Sequence, residues 1–132
     1  MPRITKVSVP DLEIRGINFG LALRNHDDDE FLLDKLTQDF QNFYRDAALE
    51  LKKALDNEQE EQAERLTHNI AGVAGSFGAE NLMLYSRKLE HLIQKHGGLL
   101  PHHFEHFELE MATLLTAIDE FHALGAQKAN QV

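Results

Sequence analysis

The chain has no cysteine and no tryptophan, and only three prolines and two tyrosines. Without cysteine there is no disulfide framework, no thiolate nucleophile and no Cys-ligated zinc. The alternation of β-branched residues that strands need is missing as well. No run approaches the ~18 apolar residues of a membrane span. Positive charge is scarce: 13 Lys and Arg face 22 Asp and Glu, for a formal charge of −9. That balance argues against a nucleic-acid partner and against contact with anionic membranes, since both reward Lys and Arg. The opening Met-Pro-Arg-Ile-Thr-Lys lacks the apolar stretch of a signal peptide. A soluble, cytoplasmic chain is expected, and its 132 residues suffice for one domain with a real core.

What is present is helical periodicity. Leu32, Leu36, Phe40, Phe43, Ala47, Leu51 and Ala54 recur in steps of three and four, which predicts one helix from about Glu30 to about Leu55. Asp27, Asp28, Asp29 and Glu30 before it read as a cap that complements the helix dipole. A second stripe is Ala63, Leu66, Ile70, Val73 and Phe77. A third is Leu82, Tyr85, Leu89 and Leu92, stopped by Gly97-Gly98. A fourth begins at Pro101 and runs Phe104, Phe107, Met111, Leu114, Ile118, Phe121. Short connections favour antiparallel neighbours, so the expectation is an all-α, up-down-up-down four-helix bundle with an additional short or irregular N-terminal helix packed across one end. Residues 1–11 read as an extended lead-in, 12–126 as the bundle domain and 127–132 as a tail.

One stretch breaks the economy of the pattern. On a helix at about 100° per residue, His68 lies roughly 160° from the apolar stripe centred near Ile70. Gly72 and Gly75 then fall on the same outward face, and each costs about 0.8–1 kcal/mol against alanine in a helix interior. A bare patch beside a histidine suits a large partner that must approach closely, whereas a small substrate needs a pocket.

At this stretch the chain resembles the histidine-containing phosphotransfer (HPt) domain of bacterial phosphorelays, over most of its length. The family motif is a histidine, a lysine three residues on, a glycine four on and Gly-Ala near ten; His68, Gly72 and Gly78-Ala79 match it. Leu82 and Leu89-Glu90 fit the helix that follows. The lead-in from Val9 to Asn18 and the Phe40 helix are similar to the opening of HPt modules at the C-terminal end of hybrid sensor histidine kinases. The lysine position holds Ala71.

The resemblance implies that His68 Nε2 attacks a receiver-domain phosphoaspartate in line and later passes the phosphoryl group to another receiver. An unperturbed imidazole titrates near pH ~6.5, so at neutral pH much of it carries the free lone pair. Positioning and charge stabilisation carry most of such a transfer. The receiver is expected to bring Mg²⁺ and a lysine of its own, so this chain needs no cofactor or metal and acts as a carrier without independent turnover. Donor and acceptor receivers and a histidine kinase are the expected partners, with the module free-standing or inside a membrane-anchored hybrid kinase. Glu90 is expected to accept from Nδ1–H and fix the tautomer. Arg87 is the candidate substitute for the missing lysine, with Arg65 and Lys88 weaker; Glu64 reads as surface charge. Receiver docking is expected around Arg65, Ala71, Gly72 and Gly75; Ile17 and Phe19 are apolar candidates to join it, with core packing the favoured place for either.

Two other readings compete. His91, His96, His102, His103 and His106 suggest a metal-binding bundle, although no Glu-x-x-His pairs accompany them. An HPt-like module without the lysine can also serve for docking alone. Gly72-x-x-Gly75-x-x-Gly78 is not a nucleotide loop, because no strand precedes it and no Lys-Ser/Thr follows.

Overall fold

The computed structural model describes residues 12–130, with side chains through Gly125; the expected lead-in over residues 1–11 lies outside the described residues. In chain order the elements are β1 (Glu13–Ile14), β2 (Ile17–Asn18), α1 (Phe19–Asn25), α2 (Glu30–Tyr44), α3 (Ala47–Asp56), α4 (Glu60–Ser76), α5 (Glu80–His96) and α6 (Pro101–Asn130). The domain is all-α, with one minute hairpin as its only sheet among the described residues.

That hairpin corrects the expectation of irregular helix from Leu12. Glu13 pairs with Asn18 and Ile14 with Ile17. The two-residue turn between them is Arg15-Gly16, with φ of 54° and 83°. Positive φ at both central residues is the pattern of a type I′ turn, which suits a tight antiparallel pair. Gly16 therefore makes a turn where the sequence pattern suggested an interrupted helix. The helix itself starts at Phe19, capped by Asn18 Oδ1, which accepts from Leu21 N–H at 2.9 Å. Arg15 ties the hairpin to α6 by donating from Nε to Glu120 at 2.6 Å.

The single long helix expected from Glu30 to Leu55 is two helices. Asp29 caps the first through Oδ1, accepting from Leu32 N–H at 3.0 Å, as the acidic run suggested. The break falls at Arg45-Asp46, where only Asp46 leaves helical geometry, with ψ of 27°. Phe40, Ala47, Leu51 and Ala54 of the expected stripe are buried across the break, whereas Leu32 and Phe43 are exposed and Leu33 and Thr37 face the core instead. Periodicity cannot detect a kink that preserves phase.

α3 packs against α4 and α6, α4 against α5, and α5 against α6. The core between them holds Leu33, Leu51, Ile70, Leu82, Leu89, Ile93, Phe107, Leu114 and Ile118, with Phe19 stacked on Phe121 at 4.5 Å between ring centroids. Thr37 is fully buried but satisfied: its hydroxyl donates to the Leu33 carbonyl at 2.8 Å and lies 2.8 Å from His122 Nε2. α6 continues through residues 127–130, which the sequence pattern assigns to a tail.

The turn between α4 and α5 determines how the site is built. Ala79 N–H reaches the Ala74 carbonyl at 2.9 Å and Gly78 N–H the Gly75 carbonyl at 3.2 Å, the two bonds of a Schellman motif. Gly78 sits at φ 76°, and a Cβ there would lie 2.2 Å from the Asn18 carbonyl oxygen. Asn18 N–H in turn donates to the Gly78 carbonyl at 3.1 Å. Conformation and close approach thus both require glycine. Gly78→Ala is expected to destabilise the domain by at least ~2 kcal/mol, read as a lower midpoint in urea.

At the start of α6 a histidine does capping work. Leu100 N–H donates to His103 Nδ1 at 2.9 Å, and His103 N–H donates to the Leu100 carbonyl at 2.9 Å, a reciprocal arrangement like a capping box. Burial, then His102 and Lys88, hold His103 below its ordinary value of 6.5. Its folded form is the neutral one, so the unfolded chain binds the proton first as pH falls. Stability should therefore drop on acidification through about pH 6.5, and thermal melts of His103→Asn should show a shallower loss than the parent.

Candidate functional site

On α4 the buried face is Ala63, Thr67, Ile70, Ala71 and Ala74. Thr67 donates to the carbonyls of Glu64 at 2.9 Å and Ala63 at 3.1 Å and is itself fully buried. The next residue, His68, is consequently turned outward, with 71% of its side chain exposed. α5 buries Leu82, Ser86, Leu89 and Ile93, which leaves Glu90 on the flank beside α4.

The helices run antiparallel from their short turn. Gly75 meets Met83, and further out His68 meets Glu90. His68 Nδ1 lies 3.1 Å from Glu90 Oε2 and 3.4 Å from Oε1. A carboxylate can only accept, so in the neutral ring Nδ1 carries the proton and Nε2 keeps its lone pair. Glu90 side-chain exposure is 21% against 71% for the imidazole, so the carboxylate is the anchored partner and the ring the accessible one.

An open groove of about 360 Å³ surrounds this pair. Its α4 wall is His68, Ala71 and Gly72; its α5 wall is Arg87, Glu90, His91 and Gln94. The structure thus brings His68, Glu90, Arg87, Ala71 and Gly72 together. Ala71, expected as docking surface, is 3% exposed and forms the groove floor. Gly72 is open, with nothing within 4 Å of where a Cβ would stand.

Gly75 is not part of the bare face. A Cβ there would lie 2.7 Å from Met83 Sδ, because the turn at Gly78 holds α5 close over the last turn of α4. An isolated helical wheel gives phase but not the neighbour that covers it. Arg65 is exposed and lies outside the groove lining. Lys88 borders a separate cavity with Asn81, Leu84, Tyr85, His106 and Glu110, and its ammonium lies 5.7 Å from the Tyr85 ring centroid. Glu64 contributes its carbonyl to Thr67. Ile17 and Phe19, considered for docking, are 6% and 1% exposed and belong to the core. The larger cavity, about 520 Å³ between α1, α2 and α6, does not include His68.

His91 and Gln94 were missed as groove residues. The available signal was phase: Arg87, His91 and Gln94 are spaced four and three apart and share one face of α5 with Glu90. Three other histidines of the metal reading have separate employment. His103 caps α6, His102 lies against it at 4.1 Å between ring centroids, and His106 stacks on Tyr85 at 4.0 Å and pairs with Glu110. Among the described residues no three His, Asp or Glu side chains converge as a metal set.

The helical scaffold thus holds one imidazole by Nδ1 and leaves it exposed in an open groove. The Hpt domain family model matches residues 35–123, well over half of the chain, and His68, Arg87 and Glu90 all fall inside the match. The chain belongs to the Hpt domain family. It is therefore a histidine phosphotransfer module of phosphorelay, two-component signalling, a phosphocarrier by class that works with response-regulator receivers and histidine kinases. Searches of curated proteins and of solved structures found no match. No helix among the described residues is long and apolar enough to cross a membrane.

Gly72 separates fold from function. Alanine there meets no atom and should raise stability by about 0.5–1 kcal/mol through helix propensity. Gly72→Ala is therefore expected to melt higher than the parent while taking up phosphoryl groups from a receiver more slowly; denaturation and phosphotransfer assays on one preparation check both signs.

Proposed function

We propose that His68 is the phosphoryl acceptor, taking the group from a receiver-domain phosphoaspartate and passing it to a second receiver. The observation that carries this reading is the pairing of His68 Nδ1 with Glu90 at 3.1 Å on an otherwise exposed ring. Nε2 attacks phosphorus, the P–O bond to the aspartate breaks, and the carboxylate leaves with the bonding pair. Loss of the acceptor's proton is not required, because Nε2 is already unprotonated in the tautomer Glu90 selects. Mg²⁺ and a lysine belong to the receiver in this scheme, and the chain binds no cofactor of its own.

The bare face at Gly72 lets the receiver bring its phosphoaspartate against Nε2. Arg65 on the same helix and the apolar groove of about 280 Å³ lined by Leu36, Phe40, Phe43, Val73 and Phe77 extend that docking surface; Phe43 is 73% exposed. The packing of α3, α4, α5 and α6 around one core supports an up-and-down four-helix bundle as the scaffold. The helices before it and the lead-in suit a C-terminal module of a hybrid sensor kinase. Arg87 substitutes for the cation that Ala71 does not supply.

Ala71 is also the observation that favours a second reading, docking without transfer. Incubation with a Mg²⁺-loaded phosphorylated receiver separates the two. An acid-labile, alkali-stable label on the parent and none on His68→Gln establishes the carrier. Binding of receiver with no label on either protein establishes docking alone. In the carrier, Glu90→Gln should keep most of the transfer rate, since an amide oxygen still accepts from Nδ1–H. Glu90→Ala should lose about tenfold, equivalent to ~1.4 kcal/mol of positioning.

A further inference from the structure

We infer that Arg87 and His91 together form a cationic clamp for the phosphoryl group of phospho-His68, with His91 as its proton-gated half. This inference rests on His68 being the phosphoryl acceptor. A phosphoryl group on Nε2 brings up to two negative charges into a groove that already holds the Glu90 carboxylate. Ala71 on the floor and Gly72 beside it offer no charge from α4. The compensating charge must come from the facing wall.

On that wall Arg87 and His91 stand one helical turn apart and bracket Glu90. Both are exposed, and among the described residues neither has a hydrogen-bond or ion-pair partner. Neither is therefore committed to holding the fold. Arg87 is permanently charged, whereas imidazole is the side chain whose charge changes between pH 5 and 8. A phosphoryl dianion in the groove draws a proton onto His91, and the proton in return retains the dianion. The titratable and charged groups that share the groove with His91 are Arg87 and Glu90 on α5 and His68 on α4; Lys95 and Glu64 stand one turn further along their helices, outside its lining. The groups of α5 that face α6, Tyr85 and Lys88, line the other cavity.

The clamp makes the lifetime of the phosphorylated module depend on pH in a way that His68 chemistry alone does not. The test loads parent, Arg87→Gln, His91→Gln, His91→Lys and His68→Gln with phosphoramidate. It follows loss of label from pH 5.5 to 9 and records the ³¹P resonance over the same range. Circular dichroism verifies that each variant is folded. At pH 6 His91→Gln should lose phosphate about two- to fivefold faster than the parent, the range an exposed charge pair supplies. Above pH 8.5 the two should converge, because the amide never carries a charge and imidazole carries its charge only at lower pH. Arg87→Gln should be faster than the parent at every pH. His91→Lys should keep the long lifetime into the alkaline range, and the His91-dependent step in the ³¹P titration should vanish in His91→Gln.

Parallel pH profiles for parent and His91→Gln, or an unchanged ³¹P titration, overturn the clamp while leaving the carrier intact. If the parent takes up no more label than His68→Gln from phosphoramidate and from a phosphorylated receiver, the carrier reading itself fails and the clamp with it.

Discussion

The structure depends on how α5 is laid back against α4. The Schellman turn through Gly78 sets the return, and the Asn18 carbonyl occupies the space where any side chain at that position would stand. From there the two helices keep an antiparallel register in which Gly75 receives Met83 and His68 faces Glu90. A change of one residue in that register would turn Glu90 about 100° around α5 and leave Nδ1 without its acceptor. The pairing of His68 Nδ1 with Glu90 is therefore a consequence of a turn located ten residues further along the chain.

The glycines of the motif divide into distinct physical roles. Gly78 is required by conformation and by contact with the N-terminal hairpin. Gly75 makes room for a side chain of the neighbouring helix. Gly72 is required by neither, since nothing in the fold would meet a side chain there. Conformation, packing and open surface thus fall on adjacent turns of one helix, and a motif that looks uniform in sequence combines all three.

The groove around His68 is asymmetric in charge. Its α4 wall carries no permanent charge, and its α5 wall carries the carboxylate and both candidate cations. The permanent positive charge of the groove stands on α5, at the exposed Arg87. A cation at position 71 would instead emerge from a site that is now buried among core residues.

Much of this was legible in the sequence. Helical periodicity identified the buried faces of α4, α5 and α6, because residues three and four apart must share a face of any α-helix. His68 with its outward glycines was legible from phase, whereas its pairing with Glu90 was legible only through the resemblance to HPt domains. The kink at Asp46 was not, since it keeps phase, nor was the hairpin at Arg15-Gly16, whose glycine reads equally as a helix break. What only the tertiary structure decided was which outward residues share a surface: it covered Gly75, sent Lys88 to another cavity and brought His91 beside His68. Phase along one helix is a local property of the backbone, whereas the line along which two helices meet is set by the turn and the core that join them.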